Sequence, residues 1–212
     1  MKTSLASKSL LGATAMMLPL MAFAESNTIS GTGTLSTTAH VDFTVVIPKM
    51  LYLRIGSGST YSTGTLAAQG PIDLITFSPT MAQIGTGAAI TGTGGDLATG
   101  AETAAIVSNS SSVTLAATAT GALTDANGDT IPFTQISTAA ATLTAGNTLL
   151  NAPALTNGAS STTVTLTAAA NKTVTADAKW TFTYLNSATV PGGTYGGVNT
   201  QNGRVTYTAT AP

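Results

Sequence analysis

The sequence predicts an all-β protein, an antiparallel sandwich of about seven to ten strands. Three observations predict it. Apolar and polar residues alternate with period two in at least five separate runs, the signature of strands with one face turned inward. No stretch after the first 24 residues carries an apolar repeat at helical spacing with caps at its ends. Tracts rich in glycine, serine, threonine and asparagine separate the runs, as turns and loops require.

The alternating runs follow one another along the chain. In "ISGTGTLSTTAHVDFTVVI" (29–47), Ile29, Gly31, Gly33, Leu35, Val41, Phe43, Val45 and Ile47 share one side, and Ser, Thr, His and Asp mostly hold the other. Nineteen residues are too many for one usual strand. "SVTLAATAT" places Val113, Leu115, Ala117 and Ala119 inward, and "TVTLTA" does the same with Val164, Leu166 and Ala168. In "KWTFTYL" the inward face is Trp180, Phe182 and Tyr184; in "RVTYTATA" it is Val205, Tyr207, Ala209 and Ala211. Threonine suits the outward positions, because a β-branched side chain is stiff and fits a pleated surface. "GSGSTYSTGT" and "GTGAAITGTGGDLATGA" read as long loops or poor edge strands. An immunoglobulin-like antiparallel β-sandwich is the economical architecture for these runs.

Residues 1–24 form a separate element. Lys2 and Lys8 precede the apolar run "LLGATAMMLPLMA", and "AFA" ends at Ala24, the order of a secretory signal cleaved after Ala24. A membrane anchor is the alternative, but the run is shorter than the roughly 20 residues a span needs and contains Pro19. Removing 24 residues from 212 leaves 188, the size of one domain, and takes the formal charge from −1 to −3 because two of the seven basic residues leave. So weak a charge gives no reason to expect nucleic acid or an anionic membrane as partner. Cysteine is absent, which excludes disulfides, thiol catalysis and cysteine-ligated metals.

Residues that bear chemistry are few. His40 stands alone beside Asp42 on the polar side of the first run and reads as a solvated strand residue. Asp42, Asp73, Asp96, Glu102, Asp125, Asp129 and Asp177 are scattered, and nothing in the spacing pairs two of them for acid–base work. "GSGST" at Gly56 misses the nucleophile-elbow pattern, and no glycine-rich stretch has the signature of a phosphate loop. "TDANGDTIPF" (124–133) spaces Asp125, Asn127 and Asp129 like calcium ligands. It supplies too few oxygens and no closing acid, whereas Asn127-Gly128 between two apolar runs is a hairpin signal. The sequence therefore predicts a turn, with Ile131, Phe133 and Gln135 on one face of a return strand and Pro132 marking an edge or bulge. No catalytic residue, cofactor or metal ligand is expected.

"LTDANGDTIPFTQI" (123–136) resembles the "L…NG…IPY.L" hairpin of bacterial fimbrial subunits, including those related to spore coat protein U. "VPGGTYGGVNTQNGRVTYTATA" (190–211) is similar to their "P-G-x-Y-x-G…V-x-V-x-x-T" ending, and "VDFTVVIPKMLYLRIG" stands where they have a first strand. The chain departs from many spore-coat-U-like subunits in lacking their disulfide. The resemblance implies an exported, non-enzymatic subunit of a surface fimbria that works in cell adhesion. Its sandwich would be incomplete, with a groove filled first by a periplasmic chaperone and then, through an outer-membrane usher, by the leading segment of another copy or a related pilin. Residues 25–38 are then the extension, with Ile29, Gly31, Gly33 and Leu35 as the donor segment, and 39–212 the sandwich, its first strand starting near Val41. A run bent at Gly33 that closes its own sandwich is the alternative use of that segment. A secreted monomer that binds carbohydrate or a cell-surface ligand, with Tyr52, Tyr61 and Tyr195 as its platforms, is the alternative function, and an outer-membrane barrel is the third.

Overall fold

The computed structural model describes residues 26–56, 66, 70–160 and 162–212. Ala24 and the expected signal segment lie outside the described residues, as does Tyr61. The chain divides into two units, the first ending at Ile47 and the second running from Pro48 to Pro212. The second unit begins at Pro48, later in the chain than the residue 39 that the fimbrial resemblance implied.

In the first unit, residues 26–47 form no strand. The alternation of this run is intact, but its apolar side has no cover: Val41, Val45 and Ile47 are exposed, and Phe43 is 85% exposed. The first body strand therefore does not start near Val41. Period-two patterning specifies an extended chain, and whether a ladder forms depends on a neighbour that sequence does not name.

The second unit is all β. Its strands are β1 (Leu51–Ile55), β2 (Ile75–Thr76), β3 (Ile90–Thr91), β4 (Thr93–Gly94), β5 (Ala101–Ser108), β6 (Ser112–Ala119), β7 (Leu123–Thr124) and β8 (Thr130–Ile131), then β9 (Ile136–Ala141), β10 (Thr148–Leu149), β11 (Val164–Thr167), β12 (Val174–Tyr184) and β13 (Val205–Thr210). The larger sheet runs β1-β5-β12-β10, with β3 and β9 also paired to the long β12. The smaller runs β11-β6-β13. Pairing is antiparallel throughout except for β10 on β12, which is parallel over two residues, Thr148 beside Ala176 and Leu149 beside Asp177.

The two sheets face one another across a core that joins predicted inward positions of β6, β11 and the end of β12 to β5 and the start of β12, which the alternation did not single out. Val113, Leu115, Ala117 and Ala119 of β6 and Leu166 of β11 meet Ala104 and Ile106 of β5 and Val174, Ala176, Ala178, Trp180 and Phe182 of β12. The β5–β6 connection, residues 109–111, carries the chain from one sheet to the other, which is why two strands adjacent in sequence do not pair. Trp180 is fully buried; its indole N–H donates to Leu150 O at 2.6 Å and its ring lies 5.3 Å from that of Tyr207. With alanine at so many inward positions, the few aromatics carry much of the apolar area.

Chain reversal at 125–129 occurs as predicted but by another route. β7 and β8 pair through Leu123–Ile131 and Thr124–Thr130, leaving a five-residue loop in which only Gly128 takes positive φ, 91°. Asp125 holds it: Oδ1 accepts from the backbone N–H of Asn127 and of Asp129, both at 2.9 Å, and Oδ2 from Asn127 Nδ2 at 3.1 Å. Amide donors thus occupy the oxygens that a calcium reading would require, and they make an Asx-type turn. The expected return strand ends at Pro132, after which Phe133–Gln135 form a 3-10 turn. Proline supplies no N–H to continue a ladder, and the Phe133 N–H goes to Asn157 Oδ1 at 2.9 Å.

Candidate functional site

The second unit has an open seam. β1 pairs only with β5 and β13 only with β6 among the described strands, so each leaves one edge without a strand partner. These edges lie beside one another without a ladder between them, and Lys49 Nζ donates to Pro212 O near the end of β13. Exposed edges of this kind present rows of unpaired backbone groups to another strand.

Between the sheets the seam opens into a cleft of about 1140 Å³. Its floor is apolar: Leu53 and Ile55 of β1, Phe133, Phe182 and Tyr184. One wall is the segment 70–79, where Ile75 and Phe77 pack inward and the Phe77 ring lies 6.2 Å from that of Tyr184. The other wall is the loop 190–204 with the start of β13. That loop is pinned by Gly196 N–H on Thr124 O and by Thr124 N–H on Gln201 O, and Tyr195 donates its hydroxyl to Pro191 O at 2.8 Å. Asn199, Gln201 and Asn202 all take positive φ there, an unusual run for residues other than glycine.

One end of the cleft is acidic, which spacing in the sequence could not show. Glu102, buried on β5, meets Asp73 from the cleft wall and Asp96 from the loop after β4, with one carboxylate oxygen of each within 4.8 Å of the others. Burial is the main cause that lifts the Glu102 carboxyl to about 8, and the charges of Asp73 and Asp96 add to it. In its neutral form Glu102 donates a hydrogen bond to Asp73. Asp96 is held by the Thr103 N–H on Oδ1 at 2.7 Å and by Arg54 Nη2, 3.5 Å from Oδ2. Arg54 in turn donates from Nε to Gly56 O at 3.0 Å. A bound proton and one guanidinium already offset the negative charge, and a cation would have to enter beside Arg54. The cluster is an acid pair with an adjoining ion pair.

Gly56 explains how the acids approach so closely. Its φ is 65°, and a Cβ there would collide with both Glu102 Oε2 and Asp73 Oδ2. The reading of "GSGST" as an undistinguished loop therefore missed a glycine that the site requires. A lone glutamate inside the apolar run "AETAAIV" was the available signal.

The donor positions expected from sequence fall in the first unit. Ile29 and Leu35 are about half exposed, less than the run from Val41 to Ile47. A Cβ at Gly33 would meet nothing within 4 Å, and one at Gly31 only Leu35 Cδ2 at 3.2 Å. No close backbone approach uses either glycine among the described residues. His40 is exposed in the same segment. Tyr52 and Tyr195 are half-buried rather than displayed as platforms. No described helix is long and apolar enough to cross a membrane.

No protein-family model matches this chain, and neither a curated protein nor a solved structure shows significant similarity to it.

Proposed function

We propose that the chain is an exported, non-enzymatic structural subunit of a surface fibre, joined to its neighbours by strand addition. One observation carries this reading: the same chain holds an exposed extended arm with alternating apolar side chains and, in its other unit, an apolar cleft flanked by two strand edges that no other described strand pairs. The arm of one copy laid along the cleft of the next would give main-chain hydrogen bonds to an edge and pockets for every second side chain. The run Val41–Ile47 fits the donor role better than Ile29–Leu35, because it leaves more apolar surface to water. Export rests on the order of charge, apolar core and small residues ending at Ala24. A periplasmic chaperone and an outer-membrane usher are the expected assembly partners, since an open cleft needs cover before a neighbour arrives.

Against the carbohydrate-binding alternative, Phe43, on the arm, is the most exposed aromatic among the described residues. The test is assembly of the mature chain followed by analytical ultracentrifugation and electron microscopy. Concentration-dependent polymers that disappear on deletion of residues 26–47, and capping of the cleft by a synthetic peptide of residues 39–50, are expected. A stable monomer at high concentration, or undiminished polymerisation of the deleted form, overturns the proposal.

A further inference from the structure

Three asparagines of the second unit precede a glycine: Asn127-Gly128, Asn157-Gly158 and Asn202-Gly203. This dipeptide is prone to one reaction, closure of the glycine backbone nitrogen onto the asparagine side chain, because no glycine Cβ obstructs the ring that forms. The structure separates the three. Gly203 N–H donates to Thr200 O at 2.7 Å, Asn202 Nδ2 donates to Ala122 O at 2.9 Å, and a Cβ at Gly203 would collide with Gly197, so that pair is both held and crowded. Asn157 Oδ1 accepts the Phe133 N–H at 2.9 Å and Gly158 O accepts the Ala119 N–H at 2.9 Å, which ties that pair to the 3-10 turn and to β6. Asn127 is exposed, neither backbone group of Gly128 makes a close hydrogen bond among the described residues, and a Cβ at Gly128 would meet nothing within 4 Å. Among the described residues the Asn127 side chain is held only by the local bond from Nδ2 to Asp125 Oδ2.

We propose that Asn127 is a site of self-modification, which deamidates through Gly128 and thereby loosens one wall of the cleft as the protein ages. Gly128 N gives up its proton and attacks Asn127 Cγ, forming a C–N bond. The Cγ–Nδ2 bond breaks, and the nitrogen leaves as ammonia with a proton to replace the one that Gly128 lost. The cyclic imide takes up one water at either carbonyl and opens to aspartate or to its isomer, so the reaction consumes only water and needs no oxidant. Either product replaces the Asn127 donor by a carboxylate facing Asp125 across a contact of 3.1 Å, with Asp129 next to it. The isomer also inserts Cβ into the main chain between the two N–H groups that Asp125 Oδ1 accepts. The adjoining Thr124 pins the cleft wall by accepting from Gly196 N–H and donating to Gln201 O, and a Cβ at Gly193 would press on Asp125 Oδ2. Loss of order at 125–129 therefore passes to the loop 190–204. The reaction takes place within one molecule and does not depend on fibre assembly.

The purified chain is incubated at mildly alkaline pH in water enriched in heavy oxygen, folded and, in parallel, unfolded in urea. Each Asn-Gly peptide is then followed by mass spectrometry, with fragmentation that distinguishes aspartate from its isomer. In urea the three sites should take up label at similar rates. In the folded chain Asn127 should lead, and Asn202 should lag behind it by roughly tenfold or more, the factor that its pair's two hydrogen bonds are worth. Asn127→Gln, whose longer side chain closes a ring far less readily, should keep the fold and lose the product. Asn127→Asp, which installs one product directly, should lower the melting temperature by roughly 2–4 °C and raise hydrogen exchange at residues 193–203. Equal rates at the three sites of the folded chain, or a leading site other than Asn127, overturns the assignment. An Asn127→Asp chain with unchanged melting and unchanged exchange at 193–203 overturns the effect on the wall.

Discussion

Phe43→Ala separates assembly from folding more cleanly than any other change in this chain. Phe43 is 85% exposed, so in the isolated molecule its side chain contributes little to stability, and its removal should alter the unfolding free energy by no more than about 0.5 kcal/mol. Moving that side chain into a neighbour's cleft removes most of its surface from water, which is worth roughly 1.5–3 kcal/mol. At 1.4 kcal/mol per tenfold, the variant should associate about 10- to 150-fold more weakly. Val41, Val45 and Ile47 offer the same kind of surface, and their combined burial has to exceed the roughly 4–15 kcal/mol that association itself costs. Losing one anchor of four should therefore shift the concentration dependence without abolishing polymers. Sedimentation velocity over a concentration series measures the association, and urea unfolding of the monomer measures the stability. Equal association by the variant and the unaltered chain refutes the assigned donor. A large loss of monomer stability refutes the exposure on which the estimate depends, and points to an arm that closes its own molecule.

Three further changes test the body of the fold. Gly56→Ala forces a Cβ against two carboxyl oxygens at a φ that glycine favours, and should cost about 1–3 kcal/mol in urea unfolding. Asp125→Ala removes the acceptor for two backbone N–H groups and a side-chain amide at the 125–129 loop; a loss of about 1–2 kcal/mol is expected in thermal melts, and added calcium should leave the unaltered chain's melting temperature unchanged. Asp177→Ala empties a fully buried position whose carboxylate accepts from Thr144 N–H at 3.1 Å and Asn147 Nδ2 at 2.7 Å. It leaves those donors unsatisfied and should lower stability by about 2–4 kcal/mol, with hydrogen exchange at residues 144–150 rising first.

The parts of the fold legible in the sequence are those that a period of two determines. Val113–Ala119, Leu166 and Trp180–Tyr184 turn inward as read, because a strand's side chains alternate whatever the strand pairs with. Pairing itself is long-range and was not legible: β5 and β6 follow one another yet belong to different sheets, and β12 gathers four partners that only the closed sandwich reveals. The same distinction explains the acid cluster. Asp73, Asp96 and Glu102 are separated by intervals with no helical or strand meaning, and they meet because a wall segment, a loop and a strand converge at one end of the cleft.

It also explains the arm. Val41–Ile47 has the alternation of a strand and none of its ladder, so the pattern by itself does not decide whether a ladder forms. The core cluster has alanine at five of its fifteen buried positions, the cleft beside it stays open, and among the described residues the longest run of exposed large apolar side chains belongs to the arm. Sequence pattern and uncovered surface thus point to the same residues, and the choice between a neighbour's arm and the molecule's own is a question of concentration dependence alone.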